Sequence, residues 1–399
     1  MMKSRRVFAI GALCALSLVF SAGGGLLHAA DVQEITIGYA VSLTGRFAVE
    51  GKETSRGYNM WVDQINGAGG LRVGNKQRKV KLTVYDDESN PSVCTKLYEK
   101  LITRDKVDLI LSPWGSGINF AASAVADKYK YPIIMSSASA TSIWERGFTY
   151  IFETTQLSPT MMAPWKELLQ AHKDKIKKVA ILFENFLFTV ALNESLVQYV
   201  KEVGAELVLD EKYPLGSKDF TGLLLKAKGL NPDAVFVLNI MPASVYATRQ
   251  ANEVGITPKL YAVNIGPMFE EEFIGGLKDL SEKVCESGFW HPELPFEGAK
   301  KFAKEFEEKY KKKPSTDAAY AYISTQILTQ AIEKAGSIER EAVNKALHSG
   351  NFKTILGPYK YDEKGINKEQ RGFLCQVQNG QRKIVWPKDL ANGEVQFKR

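Results

Sequence analysis

The stretch 35–70 reads without interruption as strand, polar turn and helix. Ile35 to Val41 is an apolar run of strand length, Ser42-Leu43-Thr44-Gly45 is a turn, and Tyr58, Trp61, Val62 and Ile65 then recur on one face of a helix. Gly67, Gly69 and Gly70 stop that helix, and a second strand is predicted over 80–85. Strand, helix and strand in this order imply a parallel sheet with a right-handed crossover. Ligands of such sheets sit beyond the carboxyl ends of the strands, which makes the 42–51 loop a candidate site edge.

The alternation continues. Helices are predicted over 91–104 and 120–129 and strands over 107–111 and 132–135, a doubly wound domain. Phe152-Glu153-Thr154-Thr155 reads as a crossing segment, after which helices over 159–171, 189–203, 220–229 and 243–254 alternate with strands over 179–183, 207–209, 234–238 and 259–263. The last third breaks the rhythm, with helical stretches over 295–312, 317–335 and 338–348 and strands over 352–362, 372–378 and 383–386; Asn379-Gly380 marks a hairpin turn. Two α/β halves fit a chain of 399 residues, which is too long for one ordinary core.

The amino terminus has the pattern of an export signal, with Lys3, Arg5 and Arg6, an apolar run over 7–20, and Ala29-Ala30 as the expected cleavage point. Ser4-Arg5-Arg6-Val7-Phe8 also resembles a twin-arginine signature, so both the general secretory and the twin-arginine routes stay open. The run is short for about 30 Å of hydrocarbon, and Cys14 after Leu13 matches a lipoprotein site poorly. A net charge of +7, part of it in the leader, is too weak to argue for nucleic acid. Cys94, Cys285 and Cys375 remain after the leader, permit at most one disulfide, and lack metal-site spacing.

The 42–52 loop fails as a phosphate loop, because five residues separate Gly45 from Gly51 and Glu53 follows Lys52 where a hydroxyl is required. What remains is a polar turn at a helix amino terminus, which can bind an anion through backbone N–H groups. Ser112-Pro113-Trp114-Gly115-Ser116-Gly117 and Ser136-Ser137-Ala138-Ser139-Ala140-Thr141 follow the next two strands in the same way, and three such loops at one sheet edge point to a carboxylate-sized anion pocket. Asp86-Asp87-Glu88 reads as a charged strand end rather than a cation loop. No G-x-S-x-G or His-Glu-x-x-His occurs, so no catalytic residue or metal site is assigned.

Taken together, Ile35-Thr36-Ile37-Gly38, Leu43-Thr44-Gly45, Asp63-Gln64-Ile65-Asn66 with Gly69-Gly70, Tyr85-Asp86-Asp87 with Asn90-Pro91, Lys218-Asp219-Phe220 and Gly357-Pro358-Tyr359 resemble the leucine/isoleucine/valine-binding branch of the periplasmic binding proteins, of type I fold, which serve ATP-binding-cassette (ABC) importers. Ala138-Ser139 with Arg146-Gly147-Phe148 also resembles members that take aromatic or other carboxylates. The resemblance implies two lobes, each a doubly wound and mostly parallel sheet, joined by three hinge crossings near Glu153, Ser281 and Ile355. Lobe one would combine 31–153 with 282–355, and lobe two 154–281 with 356–399. A ligand would bind between lobes that close on it.

Carried over by position, the resemblance implies that Gly115, Ser116, Ala138 and Ser139 meet the ligand's carboxylate. Lobe two would supply Phe186 or Phe188, the segment from Asn239 to Met241, and Asn264. Where amino-acid binders place an acid for the ligand's ammonium this chain has Asn264, and a tyrosine position falls on Phe188; Glu50, Glu184 or Glu270 are the alternatives for the ammonium. Trp114, Phe47, Phe186 and Phe188 suit an aromatic ring. The implied protein is an exported, monomeric, cofactor-free carrier of a small carboxylate, whether branched-chain or other amino acid or aromatic acid, which delivers it to a membrane permease. A sensor for a membrane receptor or regulator, or an enzyme on the same fold, are the competing readings.

Overall fold

The computed structural model describes residues 34–397; the expected leader, its cleavage point and Cys14 lie outside them. β1 (Ile35–Val41) is buried almost throughout, as a central parallel strand covered on both faces must be. It is followed by α1 (Ala48–Gly67), a small hairpin of β2 (Leu71–Val73) and β3 (Lys76–Arg78), β4 (Val80–Asp86), α2 (Pro91–Thr103), β5 (Leu109–Ile110), α3 (Ser116–Lys128), β6 (Ile133–Met135) and β7 (Ile151–Glu153). β1 pairs in parallel with β4 on one side and β5 on the other, and β6 pairs in parallel with β7. Asn90 starts α2 by accepting from Ser92 N at 2.9 Å, with Pro91 fixing the first turn.

The second set is α4 (Ser158–Ala171), β8 (Lys178–Glu184), α5 (Leu187–Glu202), β9 (Glu206–Tyr213), α6 (Thr221–Gly229), β10 (Ala234–Leu238), α7 (Ala243–Glu253), β11 (Leu260–Val263) and β12 (Val284–Gly288). The chain then makes α8 (Ala299–Tyr310), α9 (Thr316–Ala335), α10 (Arg340–Ser349), a hairpin of β13 (Phe352–Thr354) and β14 (Gly357–Tyr359), and finally β15 (Phe373–Gln378) and β16 (Gln381–Trp386). The seven-stranded sheet runs β16-β15-β12-β11-β10-β8-β9, parallel except that β15 pairs antiparallel with both β12 and β16. α9 returns to the first lobe and lies along α1, where Trp61 Nε1 donates to Thr329 Oγ1 at 2.9 Å. That approach requires Gly57, since a Cβ there would stand 2.2 Å from Ala318 O.

Residues 284–288, inside the stretch 282–355 expected in lobe one, form a strand that pairs with β11 and β15 and so belongs to the second sheet. The chain is also still on the first lobe at 355: Ile355 N donates to Gln326 of α9 at 3.1 Å, and the expected single strand over 352–362 is a hairpin turned at Ile355-Leu356. It rejoins the second lobe after Asn367, since Gly372 packs on Pro164 of α4. The first and third crossings are tied at one buried side chain, Glu153, whose oxygens accept from Leu157 N at 3.1 Å and Asn367 N at 2.9 Å. Burial lifts that carboxyl to about 8 against the two hydrogen bonds. Tyr320 Oη, donating to Phe289 O at 3.0 Å, holds the second crossing.

Candidate functional site

The expected loop edge is held in place from below by hydroxyls. Ser112 Oγ and Ser136 Oγ, at the ends of β5 and β6, lie 2.9 Å apart, and Tyr58 Oη from α1 reaches both. Asn119 of α3 spans the same loops, with Nδ2 2.9 Å from Pro113 O and 3.1 Å from Ser137 O. The 42–45 loop is fixed by the acidic strand end: Asp86 Oδ1 accepts from Leu43 N and Glu88 N, each at 2.9 Å, and Ser42 Oγ donates to Asp87 at 2.6 Å. Asp86 and Asp87 thus direct oxygens to loop donors, as a charged strand end would. Gly51 lets α1 start against this loop, because a Cβ there would meet Ser42 O at 2.0 Å.

Ser116 opens α3, where the first backbone N–H groups have no helical carbonyl to reach. Its Oγ accepts from Ser139 N at 3.0 Å and Ala140 N at 3.3 Å. A hydroxyl has two acceptor positions and one hydrogen, so both acceptor positions are taken and only the hydrogen is left to donate. A helix amino terminus together with a committed hydroxyl donor favours an anion.

A cavity between the lobes is lined by Trp114, Gly115, Ser116, Ser139, Phe186 and Phe188 of the expected residues. Phe47 is not in its wall but stands behind it, with ring centroids 5.2 Å from Trp114 and 5.3 Å from Phe186. Ala138 is buried and Glu50 sits inside the first turn of α1, neither in the lining. Asn239, Met241 and Asn264 are also buried outside it. Asn239 serves the loop instead: its amide meets Ser244 Oγ at 2.7 Å, and Ser244 in turn donates to Ile265 O. Neither side-chain atom of Asn264 has a hydrogen-bond partner among the described residues.

The sequence reading missed the part of the wall that comes from α9 and the second crossing: Phe289, Thr316, Asp317 and Tyr320. Ser315 caps α9, accepting from Ala318 N at 3.3 Å, and this leaves Thr316 and Asp317 on the first turn facing the cleft. Trp114 Nε1 donates to Asp317 Oδ1 at 2.9 Å, which locks the indole to α9. The signal available was the Ser315-Thr316-Asp317 run at the start of the helical stretch expected over 317–335.

Only about 20 Å³ of the interlobe cavity is free, room for about one water, so an amino-acid-sized ligand enters only when the lobes part or Phe186 moves. A roomier hollow of about 520 Å³ lies between α8 and the β15–β16 hairpin, where Arg382 pairs with Glu286 and Lys313 with Glu270. Among the described residues no group of His, Cys, Asp or Glu is placed to hold a metal, and no helix is long and apolar enough to cross a membrane.

A family model described as periplasmic binding protein matches residues 34–382. The Leu/Ile/Val-binding protein homolog 7 of Brucella abortus is 24% identical over 96% of this chain and 98% of its own length. Among solved structures, the substrate-binding protein LivJ of a branched-chain amino acid transporter from Streptococcus pneumoniae, in complex with isoleucine, superposes with a TM-score of 0.79 at 25% identity, covering 89% of this chain and 100% of that one. A solute-binding protein of an ABC transporter from R. palustris, in complex with benzoate, has a TM-score of 0.77 at 19% identity over 92% of this chain and 97% of that one.

Proposed function

The chain belongs to the periplasmic binding protein family, and on that footing we propose that it is the solute-binding component of an ABC importer, closing its two lobes on a small carboxylate and handing it to a membrane permease. The observation that carries this reading is Ser116: with both acceptor positions of its Oγ filled by Ser139 N and Ala140 N, its remaining hydrogen has to find an acceptor. A carboxylate oxygen at the amino terminus of α3 meets that demand and the helix dipole together. Relatives whose printed complexes hold isoleucine and benzoate are in keeping with a carboxylate. The protein works as a monomer in the periplasm after removal of its leader near Ala30, binds one ligand per chain, and turns nothing over.

Thermal unfolding against a panel of amino acids, their amides and aromatic carboxylates tests the reading. A true ligand at about a hundredfold excess over its dissociation constant adds about 2.7 kcal/mol. Amides binding as well as acids, or Ser116→Ala leaving the affinity unchanged, would count against it.

A further inference from the structure

The first and third crossings are laced together around an acid that has no counter-charge of its own. Glu153 N donates to Gly365 O at 2.8 Å, Tyr359 Oη and Gln370 Nε2 each donate to Thr154 O at 2.8 Å, and Gln156 Nε2 donates to Arg371 O at 3.1 Å. In the middle of this lacing Glu153 is 2% exposed, and its oxygens accept the hydrogens of Leu157 N on one crossing and Asn367 N on the other. Among the described residues no cation pairs with it. Lys368, whose charge acts on it, is turned to Asp362 at 2.8 Å, and Asp362 acts on it with the opposite sign.

The remaining groups around Glu153 stay neutral. Tyr320 of α9, Tyr359 of β14 and Tyr361 all feel its charge, and burial pushes each of these hydroxyls well up. The first turn of α4 and the neighbouring strand β6 carry no charged side chain. His348 of α10 packs on Phe152, whose side chain leaves β7 on the opposite face from that of Glu153.

The same two segments also lack hydrogens. Gln156 Oε1 and Gln370 Oε1 are buried without a donor, and the hydroxyls of Thr154 and Tyr361 are buried without a partner. A carboxylate can only accept, whereas a carboxylic acid donates one hydrogen and keeps a carbonyl oxygen that accepts. Protonation of Glu153 therefore removes a buried charge and brings a hydrogen into segments where two amide oxygens have none, while one oxygen still serves the backbone.

We propose that Glu153 is a proton-operated latch: protonated, it holds the first and third crossings in the closed arrangement, and ionised, it favours the arrangement in which the lobes part and water reaches the carboxylate. Burial lifts this acid from 4.5 to about 8 in the closed form. A form that wets the carboxylate holds its proton less tightly, so by linkage the closed form loses ground as pH rises toward and through about 8. The latch acts at the crossings and not on the cargo, so its test needs no ligand and is independent of the carboxylate reading.

Small-angle scattering of the unliganded protein between about pH 6 and about pH 9.5 reads it. The radius of the wild type should rise with a midpoint near pH 8. Glu153→Gln, which keeps one carbonyl oxygen and carries hydrogens in place of the proton, should stay compact across the range. Asp317→Asn should keep the wild-type rise; Asp317, in the cavity wall and pushed up to about 7, is another acid between the lobes that titrates nearby. A flat radius in wild type, or an equal rise in Glu153→Gln, overturns the latch. A rise kept in Glu153→Gln and lost in Asp317→Asn overturns it too, and places the effect in the cavity wall. If Glu153→Gln does not fold, amide exchange in the wild type decides: corrected for its intrinsic pH dependence, exchange over 154–158 and 365–368 should quicken above about pH 8, and unchanged protection overturns the latch.

Discussion

Trp114 and Phe186 belong to different lobes, one following β5 and the other β8, yet their rings stack 9° from parallel across the cleft. Phe47 completes the contact on the first lobe. The closed form is thus held at the site itself by apolar faces that a ligand has to share or displace. Phe186→Ala should release this contact, which as an aromatic pair is worth about 0.5–1.5 kcal/mol. Small-angle scattering without ligand should show a larger radius for the variant, and ligand affinity should fall by about twofold to tenfold. An unchanged radius would mean that the rings do not contribute to closure.

A second set of interlobe contacts is ionic. Lys312 and Lys313, on the turn between α8 and α9, reach Glu272 and Glu270 of the second lobe at 3.4 and 2.7 Å. Both bridges are partly exposed, so each is worth only about 0–1 kcal/mol and is screened by salt. Raising the ionic strength should weaken ligand binding a few fold in wild type. In a Lys312→Met, Lys313→Met double variant the affinity should be lower at low salt and its salt dependence flatter, as read by titration calorimetry.

In β16, Arg382 is buried with its Nε on Glu286 and its Nη1 on Trp290 O at 3.0 Å. Glu286→Gln leaves that guanidinium without its counter-charge and should cost about 3–5 kcal/mol in urea unfolding. A loss below about 1 kcal/mol would mean that water replaces the pair.

His291 next to it gives a pH dependence with a fixed sign. Its Nδ1 accepts from Glu293 N at 3.1 Å, so Nε2 carries the hydrogen that Arg382 O accepts at 3.1 Å, and the ring is neutral. Burial, with the Arg382 charge adding to it, pushes this histidine down to about 3. The unfolded chain takes up a proton near 6.5 that the folded chain refuses, so stability from this group is lost as pH falls from about 6.5 toward 3. The difference in unfolding free energy between wild type and His291→Asn should therefore shrink over that window. A constant difference would rule out a neutral buried ring.

Cys285 stands opposite Gln376 and Cys375 opposite Glu286 in the β12–β15 ladder, which puts the two thiols on opposite faces of the sheet. They are free, as is Cys94, and burial pushes the Cys375 thiol up to about 12. The question the sequence left open is thereby answered by strand register. The folded protein should resist thiol reagents at pH 8, while the chain in denaturant should react at Cys94, Cys285 and Cys375, as counted by mass spectrometry. Rapid labelling of the folded protein would contradict the burial.

Much of the architecture could be read in the chain because it is written in local periods. The apolar run of β1, the helical face from Tyr58 to Ile65 and the strand over 234–238 appear where the spacing placed them, since burial on a helix face or within a sheet repeats with the backbone's own geometry. The loops at the strand ends were legible for the same reason, and Ser116 and Ser139 do line the cleft. Val284–Gly288 was overlooked because Glu286 and Ser287 break its apolar pattern; their partners, Arg382 and Trp165, lie about a hundred residues away.

By itself the sequence determined the alternation of strand and helix, the handed crossover that follows from it, and the edge at which small polar residues collect. Which lobe each returning segment joins was decided by tertiary structure alone, because β12, β15 and the β13–β14 hairpin are placed by hydrogen bonds to strands and side chains distant in the chain. The same holds for the cavity wall. Asp317 is an ordinary acid in its own helix, and comes to stand in the wall with Oδ1 on Trp114 and Oδ2 without a partner only when α9 is laid against the first lobe.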